Sequence, residues 1–119
     1  HVVDASGAPL VGVDLEVWHA DPAGDYDLTT PEMRYRGVMT SGAAGEWCLT
    51  TLRPGVYASG GVTRPCHLHV RLSRGGVERL VTQLYPGDDP LVGGVRRALV
   101  MSMVDDGAGG QRSAFTFVL

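Results

Sequence analysis

The chain contains no lysine, only two cysteines and no long apolar run. Because a membrane-spanning helix needs about 20 consecutive apolar residues, no segment is expected to cross a bilayer. The net charge is −3 and no basic tract is present, which argues against nucleic acid or an anionic membrane as a partner. No signal-peptide pattern opens the chain either. We therefore expect a globular protein that binds neither nucleic acid nor membrane.

The composition favours many short strands joined by turns. The 119 residues include 17 glycines and 7 prolines, and no segment has a convincing helical pattern. Val13–Trp18 alternates apolar and acidic residues, which is typical of a half-buried strand, and the segment before it is expected to pair with it as a hairpin. Trp18 and Trp47 are expected in the core. The other predicted strands include Met33–Thr40, Trp47–Thr51, Val77–Leu84 after a hairpin turn at Ser73–Gly76, Arg97–Val104 and Ala114–Leu119.

These strands predict an all-β fold. About eight or nine short strands at regular spacing argue for a β-sandwich with mixed or Greek-key connections. The opening strands resemble those of prealbumin-like modules, so the sandwich is expected to be of the prealbumin or immunoglobulin type. No N-terminal helical domain is expected.

Two histidines, His67 and His69, stand at i and i+2 in the stretch Arg64–His69. Side chains alternate faces along a strand, so both imidazoles are expected to point the same way if Val70–Leu72 continues as a strand. Neutral imidazoles one strand repeat apart, roughly 6.5–7 Å, can converge on one metal ion. A zinc site built on these two histidines alone is one interpretation. Cys66, directly before His67, is expected on the opposite face from the two histidines, in the core or in a disulfide.

Two tyrosines supply the other candidate donors. Tyr26 ends a polar loop broken by Pro and Gly, and Tyr57 follows the turn Arg53–Gly55. A phenol has a pKa of about 10, but a trivalent cation stabilises the phenolate enough to deprotonate it near neutral pH. Two phenolates with two imidazoles suit Fe(III) better than zinc, which prefers thiolate and imidazole. Taken alone, each tyrosine could equally be an aromatic residue of a loop or a buried core residue. Arg64 and Gln83 are further candidate site residues.

A resemblance to a known family is distributed along the chain from Val2 to roughly Pro90. The segments and residues that carry it are Val17–Asp21, Gly24–Tyr26, Arg36–Gly37, Thr40, Gly45–Thr51, Pro54–Tyr57, Arg64–His69 and Leu80–Gln83. In this order and spacing they resemble the catalytic core of the intradiol ring-cleavage dioxygenases, the family that contains catechol 1,2-dioxygenase, protocatechuate 3,4-dioxygenase and hydroxyquinol 1,2-dioxygenase.

This resemblance implies a reaction and a role for each candidate. It implies that a non-haem Fe(III) is held by four residues, namely Tyr26, Tyr57, His67 and His69. A catechol would bind the iron, Tyr57 would take up a substrate proton, and O₂ would be inserted between the two hydroxyl-bearing carbons to give a cis,cis-muconate. Arg64 matches a family arginine that stabilises negative charge on the substrate ring, and Gln83 matches the glutamine beside it.

One alternative belongs to another functional class. A non-catalytic, prealbumin-like β-sandwich that serves as a binding module would share the opening strand pair and the Gly45–Tyr57 segment. Such a module gives no reason for two tyrosines and two histidines in family order.

The chain opens on His1–Asp4, which is already strand-like. We therefore expect residues 1–119 to be a single intradiol dioxygenase catalytic domain trimmed from a longer protein, and we allow for a fused module outside this sequence. The partners implied are a catechol-type small molecule and O₂. Cys48 and Cys66 permit a disulfide, which with the short form slightly favours a secreted over a cytoplasmic location.

Overall fold

The computed structural model describes residues 1–27 and 30–119, with only the backbone of Ser59. No helix in these residues is long and apolar enough to cross a membrane. Two short 3₁₀ helices span Val92–Gly94 and Arg97–Leu99. The strands of the described part are β1 (Val2–Val3), β2 (Val13–Trp18), β3 (Arg36–Thr40), β4 (Tyr57–Ser59), β5 (Val62–Arg64), β6 (Leu68–Arg74), β7 (Val77–Pro86), β8 (Val100–Met101), β9 (Val104–Asp105), β10 (Gln111–Arg112) and β11 (Phe117–Val118).

The largest sheet has five strands in the order β3-β2-β6-β7-β8. Its strands are antiparallel except for the parallel pair β7 and β8. The β6–β7 hairpin turns at Gly75 and Gly76, whose φ angles are +58° and +79°. Two consecutive residues with positive φ form the turn that best matches strand twist, and glycine adopts that conformation without a steric penalty. The hairpin predicted at Ser73–Gly76 is confirmed.

One face of this sheet forms the core. Leu15 of β2 and Leu72 of β6 are fully buried and face each other across the two strands. Val2 and Phe117 pack on the same cluster from β1 and β11. The predicted hairpin between the first two strands is wrong, because β1 pairs in parallel with β11. The chain ends are therefore joined across the core.

Several parts of the chain differ from the strand prediction, and the strands predicted at Met33–Thr40 and Ala114–Leu119 are shorter than expected. Trp47–Thr51 forms no strand, although Trp47 still packs against the core as expected. Arg97–Val104 begins as a 3₁₀ turn and contributes only the short strand β8 before β9 begins. β4 and β5 form a hairpin, although no strand is predicted in the glycine-rich segment 58–61.

The core packing can be tested with Leu72→Ala. Removing a fully buried leucine loses apolar burial and leaves a cavity, so we expect the free energy of unfolding to fall by about 2–5 kcal/mol. The control is Val38→Ala in edge strand β3, where the side chain is 64% exposed and the expected loss is about 1 kcal/mol or less. Chemical denaturation measures both. Equal losses would contradict this assignment of the core.

Candidate metal centre

The two histidines converge at the start of β6. His67 precedes the strand and His69 lies within it, and the distance between their Nε2 atoms is 3.2 Å. The predicted orientation of both rings to one side is therefore present. His69 lies opposite Gln83 on β7 and opposite Trp18 on β2, so two neighbouring strands hold its backbone in place.

The hydrogen bonds of His67 indicate which of its nitrogens is free to accept. Its Nδ1 lies 2.8 Å from the carbonyl oxygen of Pro65, and only an N–H can donate to a carbonyl. Nε2 of His67 therefore carries the lone pair that points toward His69. Burial lowers the pKa of His67, and burial together with the charges of His67 and Arg64 lowers the pKa of His69 to about 4. Both rings are neutral at pH 7, the form that binds metal ions.

Tyr26 brings a phenolic oxygen to the same point. Its hydroxyl lies 2.9 Å from Nε2 of His69 and 3.4 Å from Nε2 of His67. Burial raises its pKa well above the ordinary value, and Tyr57 adds to the effect while Arg64 opposes it. The phenol is thus protonated and can donate its one proton to only one imidazole. Three polar atoms that lie within 3.4 Å of one another, each able to offer a lone pair, fit a bound cation.

Tyr57 packs against both Tyr26 and His67. Its ring is 5.5 Å from the rings of both Tyr26 and His67, and its hydroxyl accepts a hydrogen bond from Nη1 of Arg64 at 3.1 Å. Tyr57 and Arg64 are also opposite each other in the β4–β5 hairpin. The fourth predicted ligand thus lies beside the other three with a fixed cation at its oxygen.

Gln83 and Tyr85 position Arg64. Oε1 of Gln83 accepts hydrogen bonds from Nη2 of Arg64 at 2.8 Å and from the hydroxyl of Tyr85 at 2.6 Å. The Tyr85 ring lies 5.7 Å from that of His67. Tyr85 is not among the site residues predicted from the sequence, although its position two residues after Gln83 on β7 places it on the same face.

Trp18 also borders the site, so its predicted place in the core is wrong. Its ring stacks on His69 with 5.1 Å between ring centroids and 4° between planes. The guanidinium groups of Arg36 and Arg71 lie 4.9 and 5.6 Å from its ring, and both arginines pair with Glu16. The register between neighbouring strands brings these side chains together. The stacked Trp18 ring restrains the His69 ring.

Two glycines let the loops that carry the tyrosines meet backbone to backbone. A Cβ on Gly24 would lie 2.3 Å from the carbonyl oxygen of Val56, and a Cβ on Gly55 would lie 2.4 Å from that of Pro22. The N–H of Gly55 donates to the carbonyl oxygen of Asp21 at 2.9 Å. The side chain of Asp21 stabilises its own loop by accepting hydrogen bonds from two backbone N–H groups at 2.9 Å, as aspartate commonly does in turns.

Asp89 holds the chain that leads into the histidines. Its carboxylate is buried and accepts the N–H groups of Cys66 at 2.9 Å and Leu91 at 2.8 Å. Burial alone would raise the pKa of this carboxyl, but the two N–H donors, together with the Cys66 thiol and the charge of Arg53, outweigh burial and hold the pKa below its ordinary value. Cys66 is itself buried, and burial raises the pKa of its thiol to about 11.

The donor set differs from that of common zinc sites. In the described residues, no three side chains of the types His, Cys, Asp and Glu lie together. The atoms that do converge are two imidazole nitrogens and phenolic oxygen. Such a set suits a hard trivalent cation such as Fe(III), since a phenolate is a hard anionic ligand.

Comparison with known proteins identifies relatives along the whole chain. The sequence profile of the family described as Dioxygenase matches residues 1–119. A catechol 1,2-dioxygenase of Candida albicans is 34% identical over 107 residues, which are 75% of this chain and 35% of that protein. An intradiol ring-cleavage dioxygenase of Aspergillus niger is 31% identical over 102 residues, 71% of this chain and 32% of that protein. The chain thus spans about a third of the length of these two curated relatives.

A solved structure matches the fold. It is the dioxygenase domain of a dioxygenase and carbohydrate-binding protein fusion from the cellulolytic bacterium Streptomyces sp. SirexAA-E. The TM-score is 0.86 and the sequence identity 35%, and the match covers 100% of this chain and 75% of that one. The all-β fold class predicted from the sequence is confirmed.

The contact between the loops can be tested with Gly55→Ala. The added Cβ would collide with backbone atoms of Pro22 and Gly24, which cannot move as a flexible side chain would. We expect the free energy of unfolding to fall by about 1–3 kcal/mol. The control is Gly93→Ala, where a Cβ would meet no atom within 4 Å. Chemical denaturation curves measure the free energy of unfolding of both variants. Similar losses in both would argue against close packing of the loops.

The role of Asp89 predicts a dependence on pH. A carboxyl whose pKa is lower in the folded state stabilises the fold above its unfolded pKa and loses this effect as the pH falls through its folded pKa. We expect Asp89→Asn to cost about 1–3 kcal/mol at pH 7, and the difference from wild type to shrink below about pH 4. Asp88→Asn, which breaks an exposed ion pair with Arg53, should cost about 1 kcal/mol or less. A pH-independent loss in Asp89→Asn would contradict the assignment.

Proposed function

The chain belongs to the family of intradiol ring-cleavage dioxygenases, and from this premise we propose that it uses non-haem Fe(III) to open catechol-type rings with O₂. The observation that carries the proposal is the convergence of three polar atoms, from Tyr26, His67 and His69, within 3.4 Å of one another. Tyr57 and Arg64 lie beside them. A non-catalytic binding module gives no reason for this arrangement.

The four predicted ligands fit the metal that the proposal requires. A ferric ion held by Tyr26, Tyr57, His67 and His69 would supply a Lewis acid that binds both oxygens of a catechol and activates its ring toward O₂. The two imidazoles are neutral and need lose no proton to bind it. The phenols must lose theirs, so metal binding is coupled to proton release.

The remaining residues act on charge and protons around the substrate. The Tyr57 oxygen, held at 3.1 Å from Arg64, is the group that takes up a proton from a substrate hydroxyl. The guanidinium of Arg64 stabilises negative charge on the ring, because a fixed cation costs no reorganisation during the reaction. Gln83 acts through Arg64, whose Nη2 it fixes. The bond between the two hydroxyl-bearing carbons breaks, both atoms of O₂ enter the product, and the product is a cis,cis-muconate.

The proposal also concerns a possible fused module and the cellular location of the protein. The Streptomyces relative comes from a protein that is also carbohydrate-binding, and this likeness supports the expectation of a fused module. Cys48 and Cys66 are both free thiols in the structure, so a disulfide does not support the predicted secreted location. That location stays a prediction.

The iron site can be tested by colour and by O₂ consumption. Protein loaded with ferric iron should be red to burgundy, because phenolate-to-iron charge transfer absorbs visible light, and should consume O₂ when given catechol. Tyr26→Phe and His69→Ala should each weaken or shift the visible band. Tyr35→Phe is the control, since its ring packs on His19 outside the site, and it should keep the colour.

A colourless protein that fails to take up ferric iron while remaining folded would overturn the proposal. Metal analysis and circular dichroism on the same samples separate loss of metal from loss of fold. Zinc uptake without colour would favour the site based on His67 and His69 alone.

A further inference from the structure

A pocket adjoins the predicted metal centre. It has a volume of about 380 Å³ and shares Arg64 and Tyr85 with the site, which is room for a single substituted aromatic ring. Much of its wall is apolar, and the residues that form this part are Val62, Pro65, Leu91, Val95 and Leu99. A flat, apolar ring therefore has a surface to pack on beside the polar groups that would hold its hydroxyls.

The charged groups of this pocket have one sign. Among the described residues that line it, Arg64 and Arg96 are charged and none is a carboxylate. Neither arginine forms an ion pair with a carboxylate in the described part of the chain. The nearby Asp89 carboxylate is already bound to the N–H groups of Leu91 and Cys66. In a chain of net charge −3, the pocket is a local excess of positive charge.

The two arginines are held in different ways. Arg64 is occupied by Tyr57 and Gln83. Arg96 is exposed and lies in extended conformation between the two 3₁₀ helices, where its carbonyl accepts the N–H of Leu99 at 2.9 Å. Its backbone is fixed at the pocket while its guanidinium is free to meet a ligand. The next residue, Arg97, is also exposed but does not line the pocket.

We propose that Arg96 gives this site a preference for catechols that carry a carboxylate substituent over neutral catechols. The inference rests on the function proposed above. A ring whose two hydroxyls bind at the metal centre would extend past Arg64 and Tyr85 along the apolar wall, and its substituent would then enter the part of the pocket that Arg96 lines. Arginine pairs with carboxylate through two parallel hydrogen bonds, so it recognises that group in particular.

The experiment compares two substrates that differ in one group, 3,4-dihydroxybenzoate and 4-methylcatechol. The iron-loaded protein is assayed for kcat/KM with each, and anaerobic binding of each is followed by the change in visible absorption. We expect Arg96→Gln to lower the ratio of the carboxylate to the methyl compound about fivefold in both measurements, and Arg96→Glu to lower it further. Higher ionic strength should reduce the wild-type ratio, since salt screens an exposed pair.

Arg97→Gln is the matched control and should keep the wild-type ratio. An unchanged ratio in Arg96→Gln, or an equal change in both arginine variants, would overturn the inference while leaving ring cleavage intact. If wild type cleaves neither compound, the proposed function fails. Calorimetric binding of the same two compounds to the metal-free protein then decides the inference. Tighter binding of the carboxylate compound that Arg96→Gln abolishes upholds it, and equal binding refutes it.

Discussion

The backbone-to-backbone contact between the two tyrosine-bearing loops is the constraint on which the site depends. Gly24 and Gly55 each leave the space that a carbonyl of the opposite loop occupies. Each tyrosine follows its glycine by two residues, so the separation of Tyr26 and Tyr57 is set by this contact and not by the length of either loop. Backbone atoms cannot adjust as side chains do, which makes the contact a rigid one.

The strand that carries the histidines makes the other half of the site rigid in a different way. His69 has neighbours on both sides through the sheet ladder and a stacked indole on its outer face. The side chains that converge here are two neutral imidazoles and a protonated phenol, whose polar atoms lie within 3.4 Å of one another. The sheet ladder and the stacked indole therefore determine where these donor atoms meet.

Part of this structure could be read from the sequence. Strand alternation correctly placed His67 and His69 on one side, because that inference needs only local geometry. The contact of Trp18 with His69 could not be read, since it depends on the register between strands some 50 residues apart along the chain. Trp47–Thr51 has the composition of a strand, but a strand also needs a hydrogen-bonded partner. The chemistry of the tyrosines came from the resemblance to a family, as spacing alone left zinc and a mere binding module open.

The tip of the β4–β5 hairpin can change in length without disturbing the residues at the open end of the hairpin, which belong to the site. Tyr57 and Arg64 are paired at the open end, and the turn lies at Gly60 and Gly61. Because strand pairing has a period of two, an insertion of two residues at the tip would extend the hairpin while preserving the face on which both side chains lie. An insertion of one residue would instead lengthen the turn or form a bulge. The reach of the hairpin over a substrate can therefore increase in steps of two residues without altering the residues at its base.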